Sequence, residues 1–171
     1  ALFYNTTGSR NVAVGTGALK DNTTADDNTA VGVNALLSNT TGNLNVAVGA
    51  SALQANTTGN RNIAIGNLAL DANTVGDRNV AIGLAALGTF NPASNADTYN
   101  VAVGYDAGFG MTTGTHNICI GGFAGDGITD GSGNTVIGYL ADASATGGVN
   151  QIVIGNQGSG NGNNTATLAA G

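Results

Sequence analysis

His116 and Cys119 are the residue types in this chain that could act as a nucleophile or bind a transition metal, and they lie three apart. A Cys–His pair needs a third group to orient the base, and a catalytic acid is usually Glu, Asp or His. The chain has no Glu, and its ten Asp fall at unrelated positions, so no carboxylate pair forms. The stretch Gly125-Asp126-Gly127-Ile128-Thr129-Asp130-Gly131 has the Asp/Gly alternation of a calcium loop, with Asp126 and Asp130 as candidate ligands. Such a loop wants an oxygen at its third position, where Ile128 stands, so turn formation is the plainer reading. Gly158-Ser159-Gly160-Asn161-Gly162 imitates a phosphate loop but lacks the strand-to-helix context that gives that motif its chemistry. Asn-x-Thr triplets such as Asn5-Thr6-Thr7 match a glycosylation acceptor, yet in four cases they are a turn that the sequence keeps repeating. These residues predict no catalysis, no cofactor and no resident metal.

Composition removes further classes. The chain has 171 residues, with four Lys or Arg against ten Asp, a net charge of −6. Four scattered cations cannot neutralise a run of phosphates, which excludes nucleic acid as a partner. No apolar run approaches the ~18 residues of a membrane-spanning helix. A single Cys excludes an internal disulfide and a four-Cys zinc site. Hydrophobic residues make up 42%, too much buriable surface for a disordered tail. The chain opens on Ala1 without a leader, which reads as a piece cut from a longer product.

What positions every residue is a repeat. The pattern Asn-x-Ala-(Val/Ile)-Gly places its glycine at Gly15, Gly32, Gly49, Gly66, Gly83, Gly104, Gly121, Gly138 and Gly155, at intervals of 17 with a single interval of 21. With slots numbered from the Asn, slot 1 is Asn11, Asn28, Asn45, Asn62, Asn79, Asn100, Asn117 and Asn134, then Gln151. Slot 2 is β-branched throughout, slot 3 is mostly Ala, and slot 4 is Val14, Val31, Val48, Ile65, Ile82, Val103, Ile120, Ile137 and Ile154. Slot 8 is Ala from Ala18 through Ala141, and slot 13 is Thr wherever the frame of 17 holds.

Seventeen residues are too few for a helical repeat, and Gly, Asn and β-branched residues disfavour helix. Two short strands with tight turns fit, and stacking them predicts an all-β parallel β-solenoid of about nine coils spaced ~4.8 Å. The solenoid domain spans 1–155 with one four-residue insertion near 90–99, and 156–171 reads as a Gly/Asn-rich exit segment. Asn at slot 1 and Gly at slots 5 and 15 suit corners that need positive φ or a side-chain cap. Stacked Asn side chains can also form an amide ladder.

Along each strand slots 2 and 4 face one way and slots 3 and 5 the other. Both faces are apolar, as in a strand buried on two sides. A thin coil has one inside, so the other face predicts an obligate oligomer, with the slot-4 residues in a shared core.

The motif Asn45-Val46-Ala47-Val48-Gly49-Ala50-Ser51-Ala52 resembles the head repeats of trimeric autotransporter adhesins, the YadA-like family, and related repeats of phage tail fibres. The resemblance covers roughly residues 1–155. It implies a left-handed β-roll, a homotrimer, and an attachment role outside the cell, on a bacterial surface or a virion. Its partners would be its own copies together with a host-surface receptor, glycan or matrix protein. The 17-residue coil is longer than is usual there, and no neck, stalk or anchor accompanies it.

Departures from the repeat mark where recognition would sit. The insertion carries Phe90, Asn91, Pro92 and Tyr99, and beyond it Tyr105, Phe109, Phe123 and Tyr139 concentrate the aromatics. Packing is the plainer role for each, and a sugar- or protein-binding patch the sharper one. Two alternatives to attachment follow from the same repeat. The Thr-Thr pairs (Thr6-Thr7, Thr23-Thr24, Thr40-Thr41, Thr57-Thr58) suggest an ice-binding face, although adjacent residues on a strand point opposite ways. Unpaired coil ends would template a self-polymerising filament.

Overall fold

The computed structural model describes residues 1–169. Every strand is three residues long: β1 Val12–Val14, β2 Thr29–Val31, β3 Val46–Val48, β4 Ile63–Ile65, β5 Val80–Ile82, β6 Val101–Val103, β7 Ile118–Ile120, β8 Thr135–Ile137, β9 Ile152–Ile154 and β10 Ala166–Leu168. They form one sheet in sequence order, all parallel. Equivalent slots pair throughout, as in Val46 with Ile63 and Ala47 with Ala64. The architecture is an all-β solenoid without a helix among the described residues, and at ~4.8 Å per coil the ten strands span roughly 45 Å.

Each coil has one strand where two were expected. Slots 9 and 13 do bond to the next coil, as Leu36 N donates to Ala52 O at 3.0 Å and Thr40 N to Thr57 O at 3.0 Å. They do not extend into strands because the corners are left-handed. Among the described residues, 23 non-glycine residues have φ between 48° and 61°, at slots 7, 9 and 17 in most coils, as in Leu68, Leu36 and Arg61. Each such corner costs about 1–2 kcal/mol for an L-residue, and the inter-coil bonds on either side of it hold it in place.

The two glycine slots work differently from each other. Slot 5 has φ near 127° to 142° and ends each strand, and a Cβ on Gly15 would also meet Gly32 O at 2.5 Å. Slot 15 lies outside the positive-φ region, contrary to expectation. There Gly59 is required by closeness, since a Cβ would lie 2.6 Å from Gly76 O.

Slot 3 points inward. Ala30, Ala47, Ala64, Ala81, Ala102, Cys119, Val136 and Val153 are fully buried, joined by slot 8 (Ala18 to Ala141) and slot 9 (Leu19, Leu36, Leu53, Leu70, Leu87). The core changes at the insertion. Slot 12 is Asn through Asn73, then Phe90, Met111 and Ile128, all fully buried. Slot 9 turns to glycine one coil later, at Gly108 and Gly125, where a Cβ on Gly108 would lie 3.0 Å from Leu87 Cδ2 and 3.7 Å from Met111 Cε. One slot grows while the other shrinks, which preserves close packing.

The solenoid does not end at residue 155. The exit segment turns back within 14 residues, so that Ala166 pairs with Ile152 and β10 extends the sheet. Alternating Thr165 to Leu168 is itself strand-like, a signal hidden by the missing Asn-x-Ala frame.

Candidate recognition surface

The repeat Asn residues are structural. Asn45 Oδ1 accepts from Asn62 N at 2.9 Å, and Asn45 Nδ2 donates to Gly59 O at 2.8 Å. The same pair of bonds recurs at Asn28, Asn62, Asn100, Asn117 and Asn134. A second, amide-to-amide ladder runs through slot 12, from Asn5 to Asn73. A third at slot 16 uses side-chain oxygens of Asp26, Asn43, Asn60 and Asp77 to accept backbone N–H groups of the preceding coil. No buried side-chain N or O lacks a partner among the described residues, so these rows hold coils together and have no free group to offer a ligand.

The outward face of the strands is the opposite case. Val14 is 58% exposed, Val48 36%, Ile65 38% and Ile154 40%, and Val12, Ile63, Ile118 and Ile152 flank them at slot 2. Val31, Val103 and Ile137 continue the column half-buried. A file of Val and Ile at slot 4, beside a β-branched file at slot 2 interrupted by Thr29 and Thr135, therefore runs from β1 to β9 exposed or half-buried on the outward face. Soluble monomeric proteins seldom leave a contiguous apolar surface of this kind uncovered.

The insertion is pinned, and two of its expected recognition residues are not at the surface. Phe90 is fully buried and Pro92 is buried over Gly76, so both leave the candidate surface. They are inward because Phe90 occupies slot 12 and continues the core column begun by the Asn ladder. Asn91 is exposed but still in register, accepting from Thr74 Oγ1 at 2.7 Å and donating its N–H to Thr112 O at 2.9 Å. The exposed tip is Ala93 to Asn95. Thr98 closes the loop by donating its hydroxyl to Asn79 Oδ1 at 2.8 Å. Arg78 pairs with Asp97 and lies over the Tyr99 ring, 5.5 Å from its centroid, while His116 stacks on that ring at 5.4 Å. Sequence reasoning missed Arg78, since slot 17 tolerates Arg, Asp, Leu and Tyr alike, and missed Asp97 and Thr98, which lie in an insertion with no repeat to compare.

The remaining aromatics separate into two places. Tyr105 and Phe123 meet edge to face at 5.0 Å, and Phe123 meets Tyr139 at 6.2 Å, a row of three rings across successive coils. Tyr105 and Tyr139 are each about half exposed. Phe109 lies apart, its ring over Gly88.

The titratable groups form no metal site. Among the described residues no group of three His, Cys, Asp or Glu converges on a point. Asp130 takes a 3.3 Å bond from the Thr129 hydroxyl, whereas Asp126 lies near Asp142, so the two calcium candidates are not brought together with further ligands. Burial raises the Asp142 pKa, and the charge of Asp126 adds to the shift despite N–H donation from Ala143 and Gly127. Burial also pushes the Cys119 thiol up to about 12, with Asp142 and Asp126 contributing, so it is a protonated core residue at neutral pH.

No cavity is found among the described residues, and no family model, curated protein or solved structure matches the chain.

Proposed function

We propose that the chain is a non-enzymatic segment of an extracellular attachment fibre, three copies of a left-handed coil wound round one axis on a bacterial surface or a virion. The observation that carries this reading is the outward file of Val and Ile at slot 4, with the mostly Val and Ile file of slot 2 beside it. A surface repeated at every coil is self-complementary around a symmetry axis, which suits a closed homo-oligomer. Burial on association would contribute about 25 cal/mol per Å² of apolar surface removed from water.

Attachment is then a matter of stiffness and number. The tip Ala93 to Asn95 and the ring row Tyr105, Phe123 and Tyr139 are the surfaces offered to a receptor, glycan or matrix protein, each repeated three times. Simultaneous engagement of linked weak contacts raises avidity by ~10² to 10⁴. Light scattering across a dilution series tests the assembly. A stable species near three times 16.6 kDa supports the trimeric fibre, and a monomer at every concentration overturns it.

Ice binding is the second reading, favoured by the exposed slot-14 residues Thr7, Thr24 and Thr41. The neighbouring slot-13 hydroxyls weaken it. Those of Thr6, Thr23, Thr40 and Thr57 donate to the next coil's carbonyl, so they are already engaged within the fold. Thermal hysteresis of the purified chain separates the two readings.

A further inference from the structure

Of the 24 asparagines, Asn161 is the one followed by glycine. An asparagine deamidates when the backbone nitrogen of the next residue attacks its side-chain carbonyl carbon, and a side chain on that next residue obstructs the approach. The attacking nitrogen must also be free of other bonds.

The solenoid denies both conditions to its repeat asparagines. At slot 1 the next residue is β-branched, and its N–H is committed to the neighbouring coil, as Val46 N donates to Asn62 O and Ile63 N to Asn79 O, both at 2.8 Å. At slot 12 the next residue is Thr, and Thr40 N and Thr57 N are likewise bonded across coils at 3.0 and 2.8 Å. The side chains themselves are buried and held at both ends.

Asn161 meets neither obstacle. It is exposed, and a Cβ added at Gly162 would have nothing within 4 Å. The Gly162 N–H makes no hydrogen bond among the described residues. The Asn161 side chain has one bond, from Nδ2 to Thr167 Oγ1 at 3.1 Å, which leaves its carbonyl without a donor.

We propose that Asn161-Gly162 is a built-in site of spontaneous deamidation in a chain whose repeat asparagines are protected from it. The Gly162 nitrogen bonds to Asn161 Cγ, the Cγ–Nδ2 bond breaks, and ammonia departs with the proton from the Gly162 amide. Water then opens the resulting succinimide at either carbonyl, giving aspartate or isoaspartate. The net charge moves by one from −6, and the isoaspartate form lengthens the backbone by one carbon just before β10. The bonds nearest the change fasten that strand: Asn161 to Thr167, and Thr165 Oγ1 to Gly162 O at 2.6 Å.

The test is to hold the purified chain in mildly alkaline buffer at body temperature and follow chymotryptic peptides by mass. The peptide containing Asn161 should exchange NH2 for OH, with isoaspartate detected by isoaspartyl methyltransferase, about tenfold or more faster than any repeat asparagine. Asn161→Gln should abolish the change without disturbing the Gly162 φ of 113°. Amide exchange at Ala166–Leu168 should rise after conversion while that at Ile118–Ile120 stays constant. Equal modification at Asn62 and Asn161, or an intact Asn161 while a short peptide of the same sequence converts, would overturn the proposal, and unchanged exchange in β10 would overturn its structural consequence.

Discussion

Asn56 Nδ2 donates to Asn39 Oδ1 at 2.8 Å, with both amides fully buried. Asn56 also donates to Gly59 O at 3.0 Å and accepts from Asn73 Nδ2 at 3.1 Å, so each rung of this ladder serves its own turn and two neighbours. Removing a rung strands partners in an interior without water, where an unmet buried group costs ~1–3 kcal/mol.

Asn56→Ala should therefore destabilise the chain by about 3 kcal/mol, combining unmet partners with a small cavity. Thr41→Ala, at an exposed slot of the equivalent turn one coil earlier, should cost under about 0.5 kcal/mol. Urea unfolding of the two variants side by side checks this, and equal midpoints would remove the ladder from the list of stabilising features.

The exchange of volume between slots 9 and 12 gives a second prediction. Gly108 has φ 61°, close to the 52° of Leu87 at the same slot, so a leucine there meets the corner cost of about 1–2 kcal/mol that Leu87 already bears and, in addition, a shortage of space. Gly108→Leu should cost about 2 kcal/mol by overpacking, and Met111→Ala about 3 kcal/mol by leaving a cavity. The double variant should lose at least about 1 kcal/mol less than the sum of the two, because the leucine fills the space the methionine vacates. A double-mutant cycle from denaturant unfolding measures the coupling, and strict additivity would mean that the two slots do not share space.

What could be read from the sequence was whatever the repeat period controls. The parallel register and the opposite facing of slots 3 and 4 follow from period two within a motif of period 17, while burial of slot 3 decides which face is inward. The positive-φ corners were not legible, because Leu36, Arg61 and Leu68 are not residues that advertise a left-handed backbone. Without those corners, two strands per coil looked natural. Phe90 misled for a related reason: it was read as part of a loop, whereas its slot number placed it in the core column behind Asn73. Pro92 was lost with it. The anchoring of the insertion by Arg78 and Asp97 has no sequence signal, since Arg78 stands in a slot permissive of residue type and Asp97 in an unrepeated insertion.

The proposed oligomer makes a prediction about two positions in adjacent repeat units. Val48 is 36% exposed on the outward face, so Val48→Asp should leave the single chain folded while abolishing assembly. Thr40→Asp removes the bond from Thr40 Oγ1 to Thr57 O at 3.0 Å, costing about 1 kcal/mol, yet it lies away from that face and should leave assembly intact. Light scattering of both variants, with circular dichroism to confirm folding, distinguishes them. If both assemble like the parent, the Val and Ile files are not the shared core.

Asp142 offers a prediction in pH. Its slot 9 position, leucine in five earlier coils, buries the carboxyl, and desolvation raises its pKa above 3.8 with a further push from Asp126. The folded chain thus keeps a proton that the unfolded chain releases between 3.8 and the raised value. More protons bound to the folded state means that this group's contribution to stability falls as pH rises through that window. Asp142→Asn removes the titration. Below 3.8 the neutral acid and the amide have similar hydrogen-bonding capacity toward Gly127 N and Ala143 N, so the variant should match the parent there. As pH climbs, the parent must ionise a half-buried group and the variant need not, so the variant should gain relative stability. Asp126 and Asp71 shift in the same direction and should leave a residual slope in both proteins. Urea midpoints measured from acid to neutral pH check this: the two curves should diverge upward through the window, and parallel curves would show that Asp142 titrates alike in the folded and unfolded chain.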